Sequence, residues 1–152
     1  MIRVPFKIDP DADKREEQKD VSEKSIKGLH ILLAEDNELN MEIAEFMLQN
    51  EGADVTKAWN GQEAVELFRK SEPGEFDVIL MDIMMPVMNG YEAAKTIRSL
   101  NREDAKTIPI IAMTANAFTE DRIKAKEAGM DEHVAKPVDM ELLIKVIHRL
   151  VG

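Results

Sequence analysis

From Leu29 onward, short apolar runs alternate with longer amphipathic stretches whose apolar residues recur at helical spacing. This alternation predicts an α/β domain with a parallel sheet, because a helix usually connects one parallel strand to the next. The third and fourth apolar runs contain almost no polar residue, which is typical of central strands covered by helices on both faces. The five predicted strands are residues 29–34, 53–58, 76–81, 108–113 and 132–135.

Polar residues and glycines mark the predicted ends of the helices. Asn60 is suited to begin one helix, with Glu63 three residues on to complete a capping box, and Asp139 is suited to begin the last helix. Gly52 and Gly129 follow two other helices, at positions where a left-handed backbone is common. The last helix carries an apolar stripe that is broad enough to pack on the sheet, formed by Leu142, Leu143, Val146, Ile147 and Leu150.

The first 27 residues follow a different pattern. Residues 1–8 alternate apolar and polar side chains, as a half-buried strand does, but a lone strand is not stable. Residues 9–27 are nearly all polar or charged and offer too little apolar surface to offset the entropy of ordering. We therefore predict a strand-like remnant and charged linker at 1–27, followed by one folded domain at 28–152.

Composition limits the kinds of partner and compartment. Thirty acidic residues against twenty basic ones give the 152-residue chain a formal net charge of −10, which argues against direct nucleic-acid binding. The chain has no cysteine, which excludes disulfides and thiolate metal sites and favours a reducing compartment. No apolar run approaches the ~20 residues that span a bilayer. We expect this fragment to be cytoplasmic and to make no membrane contact.

Side chains with metal and phosphate chemistry follow four of the predicted strands. Glu35 and Asp36 come after the first strand, Asp82 after the third, Thr114 after the fourth and Lys136 after the fifth. The carboxyl ends of parallel strands meet at one edge of a doubly wound sheet, where ligands bind. The five side chains are therefore expected to converge on one edge.

The acidic members of this set predict a Mg²⁺ site. Three carboxylates so close together would repel one another unless a cation lay among them. Mg²⁺ prefers carboxylate, carbonyl and water oxygens. A zinc site would be expected to include His or Cys, and neither residue lies near these carboxylates in the sequence pattern. We assign Asp36 and Asp82 as direct ligands, with Glu35 acting through water.

Asp82 is the best candidate nucleophile, because it ends the most apolar strand and precedes a tight loop that leaves it accessible. A carboxyl group with a reference pKa of ~4 is already ionised at neutral pH, so the site need only position a phosphoryl donor and neutralise charge. Lys136 and the Thr114 hydroxyl would stabilise the phosphoryl oxygens. The expected product is an aspartyl phosphate.

Four segments resemble the successive motifs of the receiver domains of two-component response regulators and hybrid sensor kinases. They are ILLAEDNELN, VILMDIMMPVMNG, IIAMTANA and GMDEHVAKP, in this order. The resemblance covers about residues 28–152 and implies a flavodoxin-like, five-stranded parallel sheet of order 2-1-3-4-5 with helices on both faces. It also implies that Asp82 is the phosphoacceptor and that the backbone carbonyl of Met84 is a third protein ligand to Mg²⁺.

The resemblance further implies a switch. In this family a hydroxyl at the position of Thr114 moves toward the phosphoryl group, and a side chain on the last strand, here His133, turns inward. The alternative for His133 is a solvent-facing histidine. The last strand and the helices on either side of it would form the output surface.

Partners follow from the same resemblance. The phosphodonor would be a histidine kinase domain, which could lie in the same parent chain, and a histidine phosphotransfer domain or downstream regulator would receive the signal. Residues 1–8 resemble the closing strand of a histidine kinase ATP-binding domain, so the parent could be a membrane-anchored hybrid kinase. This fragment is expected to catalyse only its own phosphorylation and dephosphorylation.

Three other functions compete with this interpretation. A Rossmann-type nucleotide binder needs a glycine-rich loop after the first strand, where this chain has AEDNELN. A Mg²⁺-dependent phosphatase would need a second acid two residues after its nucleophile, where Met84 stands. A pseudo-receiver would bind partners without phosphorylation, and the complete set of acidic residues, Thr114 and Lys136 argues against it.

Overall fold

The computed structural model describes residues 26–115, 119–136 and 138–151. The strand-like segment at 1–8 and nearly all of the predicted linker lie outside these residues. The domain boundary at residue 28 stays a prediction, although Ile26 is already fully buried in the core.

Strands and helices alternate along the described residues. The strands are β1 (His30–Ala34), β2 (Asp54–Ala58), β3 (Val78–Asp82), β4 (Ile110–Thr114) and β5 (Glu132–Ala135). The helices are α1 (Glu38–Asn50), α2 (Gly61–Lys70), α3 (Gly90–Arg98), α4 (Glu103–Thr107), α5 (Thr119–Glu127) and α6 (Met140–Val151). Among these helices, none combines the length and the hydrophobicity that a bilayer crossing requires.

The five strands form one parallel sheet in the order β2-β1-β3-β4-β5. This order confirms the predicted flavodoxin-like fold. The strands β3 and β4 are buried along their whole length, as their continuous apolar sequences predict. Neighbouring strands end together, since Ala34 pairs with Met81 and Asp82 pairs with Met113. The carboxyl ends of the strands therefore form one continuous rim.

Two hydrophobic layers cover the sheet, one on each face. Alternate residues of a strand point to opposite faces, so Leu32 belongs to one layer and Leu33 to the other. Helices α2, α3 and α5 pack on the first face, and helices α1 and α6 pack on the second. In α6 the buried members of the predicted stripe are Leu143, Val146 and Ile147. Leu142 was predicted to share this packing, but it is half exposed.

The predicted helix ends are largely correct. Asn60 Oδ1 accepts a hydrogen bond from Glu63 N at 2.8 Å, as a capping residue does. The predicted capping box is wrong in one contact, because Glu63 Oε1 accepts from Trp59 N at 2.7 Å. Gly52 and Gly129 follow α1 and α5 with φ values of +92° and +96°, which favour glycine.

Candidate functional site

Three carboxylates lie together at the rim where the strands end. Glu35 and Asp36 directly follow β1, and Asp82 is the last residue of β3. One ligand atom from each of the three groups lies within 4.8 Å of the others. Glu35 and Asp82 are buried, whereas Asp36 is exposed. Since β1 and β3 are neighbouring strands, the sheet itself brings the three groups together.

Lys136 lies between two of these carboxylates. Its Nζ is 3.1 Å from Glu35 Oε1 and 3.1 Å from Asp82 Oδ2. The other oxygen of Glu35 accepts a hydrogen bond from Asn37 N at 3.1 Å. The other oxygen of Asp82 accepts a hydrogen bond from Met84 N at 3.3 Å. Each carboxylate is thus oriented by one ammonium group and one backbone amide.

The electrostatics of the rim favour a bound cation. Burial and repulsion by Glu35 raise the pKa of Asp82 to about 6, although Lys136 opposes this shift. Burial lowers the pKa of Lys136, but its hydrogen bonds to Asp82 and Glu35 outweigh burial and leave the pKa raised. One ammonium group therefore serves more than one buried carboxylate, and the rim keeps a surplus of negative charge.

The donor atoms at the rim suit a hard divalent cation. They are carboxylate oxygens, which Mg²⁺ prefers, and the chain contains no cysteine that would favour a softer metal. Oxygens that bind one Mg²⁺ lie about 3 to 4 Å apart, so Asp36 and Asp82 would need only small movements to bind one ion directly, with Glu35 near enough to act through water. Met84, whose carbonyl is the third predicted protein ligand, lies in the loop beside Asp82 with its side chain exposed. The role of its carbonyl stays a prediction.

The loop that follows Asp82 is anchored at the start of α3. Gly90 N donates a hydrogen bond to Ile83 O at 2.9 Å, and a Cβ atom at Gly90 would lie 2.5 Å from Asp82 O. Only glycine therefore allows α3 to begin this close to the backbone of Asp82. Asn89 and Glu92 close a complete capping box at the same helix end. Sequence reasoning missed this role of Gly90, although the Asn-Gly pair after an apolar strand was the available signal.

The predicted switch residues lie on β4 and β5, the two strands beyond β3 in the sheet. Thr114 is the buried last residue of β4, and its neighbour Met113 pairs with Asp82 across the sheet. His133 lies on β5 with its side chain 18% exposed and its Nδ1 3.5 Å from Glu132 Oε1. His133 is therefore not fully solvent-facing. The part of either residue in switching stays a prediction.

Comparison with known proteins finds the same sequence pattern in a large family. The family model described as the response regulator receiver domain matches residues 31–148. Histidine kinase 1 of Arabidopsis thaliana is 36% identical over a region that covers 83% of this chain and 13% of that protein. The chain thus spans about an eighth of the length of this curated relative.

Many solved structures share the fold, and two receiver domains are examples. The receiver domain of a sensor histidine kinase from Pseudomonas aeruginosa PAO1 is 39% identical, with a TM-score of 0.74 over 82% of this chain and 98% of that one, and it has a magnesium ion coordinated in its active site cleft. The receiver domain of a Saccharomyces cerevisiae response regulator is 30% identical, with a TM-score of 0.72 over 82% of this chain and 90% of that one. It was crystallised with a histidine phosphotransfer protein.

Proposed function

The chain belongs to the response regulator receiver domain family, and we propose that it accepts a phosphoryl group on Asp82 in a Mg²⁺-dependent reaction. This proposal depends mainly on the charged side chains that surround Asp82. Its Oδ2 is 3.1 Å from Lys136 Nζ, and its carboxylate lies beside those of Glu35 and Asp36. A nucleophile, a cation for phosphoryl oxygens and acidic ligands for a metal thus share one rim.

In the proposed reaction, a carboxylate oxygen of Asp82 forms a bond to the phosphorus atom of the donor. The bond between phosphorus and the leaving group breaks, and the leaving group keeps the electron pair. No base is needed, because Asp82 with a pKa of about 6 is mostly ionised at pH 7. Lys136 would stabilise the negative charge on the phosphoryl oxygens, and the Thr114 hydroxyl would donate a hydrogen bond to one of them.

The proposed metal site uses the same residues. Asp36 and Asp82 would bind Mg²⁺ directly, Met84 would add its backbone carbonyl, and Glu35 would act through water. The ion would neutralise the carboxylates and the incoming phosphoryl group. The oxygen-only donor set and the magnesium ion in the Pseudomonas receiver domain support this assignment.

Phosphorylation would act as a bias between two conformations. The Thr114 hydroxyl would move toward the phosphoryl group, and His133 would turn further inward on β5. A difference of a few kcal/mol between the two states is enough to shift their populations substantially. The mostly buried position of His133 supports this role.

The proposed partners are a histidine kinase domain as phosphodonor and a histidine phosphotransfer domain or downstream regulator as recipient. The kinase relative from Arabidopsis and the yeast receiver crystallised with a phosphotransfer protein support this pairing. An origin in a hybrid kinase is also a proposal, because the resemblance of residues 1–8 to a kinase strand lies outside the described residues.

Intact-mass measurement after incubation with acetyl phosphate tests the proposal. With Mg²⁺ present, we expect one phosphoryl group on the wild-type chain and none on Asp82→Asn, because the variant lacks the nucleophile. A chelator should abolish labelling of the wild type, since the metal would be removed.

Asp77→Asn is the matched control, because Asp77 lies just before the amino end of the same strand. It should label like the wild type. An unchanged mass of the wild-type chain, or full labelling of Asp82→Asn, would contradict the proposed phosphoacceptor.

A further inference from the structure

None of the candidate site residues comes from the turn that follows β2, yet the backbone of this turn contacts both sides of the site. We call residues 58–61 the β2–α2 turn. Ala58 O accepts a hydrogen bond from Glu35 N at 3.0 Å, and Gly61 N donates one to Met88 O at 3.0 Å. Glu35 begins the acidic pair, and Met88 lies in the loop between β3 and α3. The turn therefore links the two loops that carry the proposed metal ligands.

The contact between Gly61 and Met88 leaves no space for a side chain. Gly61 is buried, and a Cβ atom on it would lie 2.1 Å from Met88 O, 2.9 Å from Met88 C and 3.1 Å from Asn89 O. All three neighbours are backbone atoms, which cannot swing aside as the end of a flexible side chain can. Any other residue at position 61 would therefore displace either α2 or the β3–α3 loop.

Helix α2 is held more firmly than the β3–α3 loop. Its buried residues Ala64, Val65 and Phe68 pack in the core, where close packing resists movement. In the loop, by contrast, Met84 and Val87 are 74% and 75% exposed. A side chain at position 61 would therefore displace the loop rather than the helix.

The loop also has a strained backbone that needs support from its surroundings. Val87 has a φ of +68°, which is unfavourable for a β-branched residue. Such a conformation persists only where neighbouring contacts fix it. Gly61 N holds the next residue, Met88, and the hydrogen bond from Gly90 N to Ile83 O closes the loop at its base. The contact with Gly61 is thus the support nearest to the strained residue that comes from outside the loop.

We propose that Gly61 is a positioning residue for the Mg²⁺-dependent reaction at Asp82. Its amide and its lack of a side chain hold the β3–α3 loop in the form in which the backbone carbonyl of Met84 serves as a ligand. Gly61 touches neither the metal nor the phosphoryl group, so it acts on metal affinity through Met88. This inference rests on the proposed function of Asp82 and on the proposed role of Met84.

Titration of the full chain with Mg²⁺, followed by calorimetry, tests the inference. We expect Gly61→Ala to bind Mg²⁺ at least about tenfold more weakly, as is typical when a group that supports a metal ligand is changed. Gly52→Ala is the matched control, because Gly52 has a φ of +92° and a Cβ there would lie 2.8 Å from Lys27 Cγ. Alanine is therefore also unfavourable at Gly52, but this residue precedes β2, at the opposite rim. The control should change Mg²⁺ affinity less than about twofold.

Labelling by acetyl phosphate distinguishes positioning from a merely structural role. In Gly61→Ala, the Mg²⁺ concentration that gives half-maximal labelling should rise at least about tenfold. At saturating Mg²⁺ the extent of labelling should match the wild type, because Asp82 and Lys136 are unchanged. A merely structural role would lower stability in urea, as Gly52→Ala should, without changing this dependence on Mg²⁺.

Amide hydrogen exchange of the wild-type chain, measured by NMR, gives a second test that does not require a variant to fold. Mg²⁺ should slow exchange of the Gly61 amide more than that of the Gly52 amide, which donates to Gln49 O at 2.9 Å. The reason is that a metal bound by the loop also stabilises the contact of the loop with Gly61.

Three results would overturn the inference: wild-type Mg²⁺ affinity in Gly61→Ala, an equal loss of affinity in Gly52→Ala, or an equal effect of Mg²⁺ on the two amides. Failure of the wild type to bind Mg²⁺ or to label would contradict the proposed function itself, and the inference with it.

Discussion

The two rims of the sheet use charged side chains in opposite ways. Where the strands end, three carboxylates lie together, Lys136 contacts two of them, and the pKa of Asp82 is raised to about 6. In the connections that lead into the strands, Arg102 and Asp104 pair at 2.8 Å. The hydrogen bond from Arg102 lowers the pKa of Asp104. One rim thus keeps a surplus of negative charge, whereas at the other Arg102 and Asp104 pair with each other.

The guanidinium group of Arg102 makes all of its recorded contacts with groups of the folded chain. Its guanidinium donates to Phe68 O at 2.7 Å and to Ser71 O at 2.9 Å, at the end of α2. It also donates to both oxygens of Asp104 and lies 4.6 Å from the centroid of the Phe68 ring. Perturbed pKa values cluster at functional sites, so the raised pKa of Asp82 supports its proposed role as the phosphoacceptor, whereas the lowered pKa of Asp104 fits an ion pair within the fold.

Removal of Arg102 should break the structural arrangement with the largest effect on stability. We expect Arg102→Ala to lower the free energy of unfolding by about 3 kcal/mol or more, because it removes the guanidinium that pairs with Asp104 and donates to the carbonyls of Phe68 and Ser71. Arg102→Lys should lose less, since it keeps the charge but not the forked geometry. Urea unfolding measures both changes.

Mg²⁺ affinity is the control for this variant, and it should stay at the wild-type value because the two rims are separate. A loss below about 0.5 kcal/mol, which is usual for ordinary surface substitutions, would contradict the structural assignment of Arg102.

Neutralising Asp82 should have a smaller effect of opposite sign. The folded-state pKa of Asp82 is raised from 3.8 to about 6, so its contribution to stability is fully present below pH 4 and is lost as the pH rises through 6. In metal-free buffer, Asp82→Asn should therefore match the wild type near pH 4. It should be more stable by about 2 to 3 kcal/mol above pH 7. Urea unfolding across this pH range measures the difference.

Asp104→Asn supplies the matched control, because the folded-state pKa of Asp104 is lowered. Asp104 contributes stability above its unfolded pKa, and this contribution is lost as the pH falls through the folded pKa. The variant should be less stable than the wild type at pH 7 by about 1 kcal/mol or less, since the pair is partly exposed. The same sign of change in both variants at pH 7 would remove the distinction between the two rims.

The strands and their polar ends could be predicted from the sequence because both signals are local. A run of apolar residues marks a strand, and the next polar residues, Glu35, Asp36 and Asp82, mark its end. Parallel topology then brings those ends together without further information. The functional rim is predictable for this reason.

Contacts between distant segments and side-chain exposure could not be predicted in the same way. Arg102 contacts Phe68 and Ser71, more than thirty residues away, and no local pattern signals that contact. Phe46 and Leu142 lie at positions that an amphipathic helix could bury, yet both are exposed because exposure depends on what packs opposite. The error in the capping box has a similar origin. The spacing of Glu63 allowed its side chain to reach the backbone amide of either Asn60 or Trp59, and in the structure it accepts from Trp59 N.

Chemical location of the phosphoryl group tests the central claim most directly. Sodium borohydride reduces an acyl phosphate to an alcohol, so a phosphorylated aspartate becomes homoserine. After labelling with acetyl phosphate and Mg²⁺, peptide mass spectrometry should find homoserine at position 82. Homoserine at position 36 instead, or a labelled chain with no homoserine at 82, would contradict the assignment of Asp82 as the phosphoacceptor.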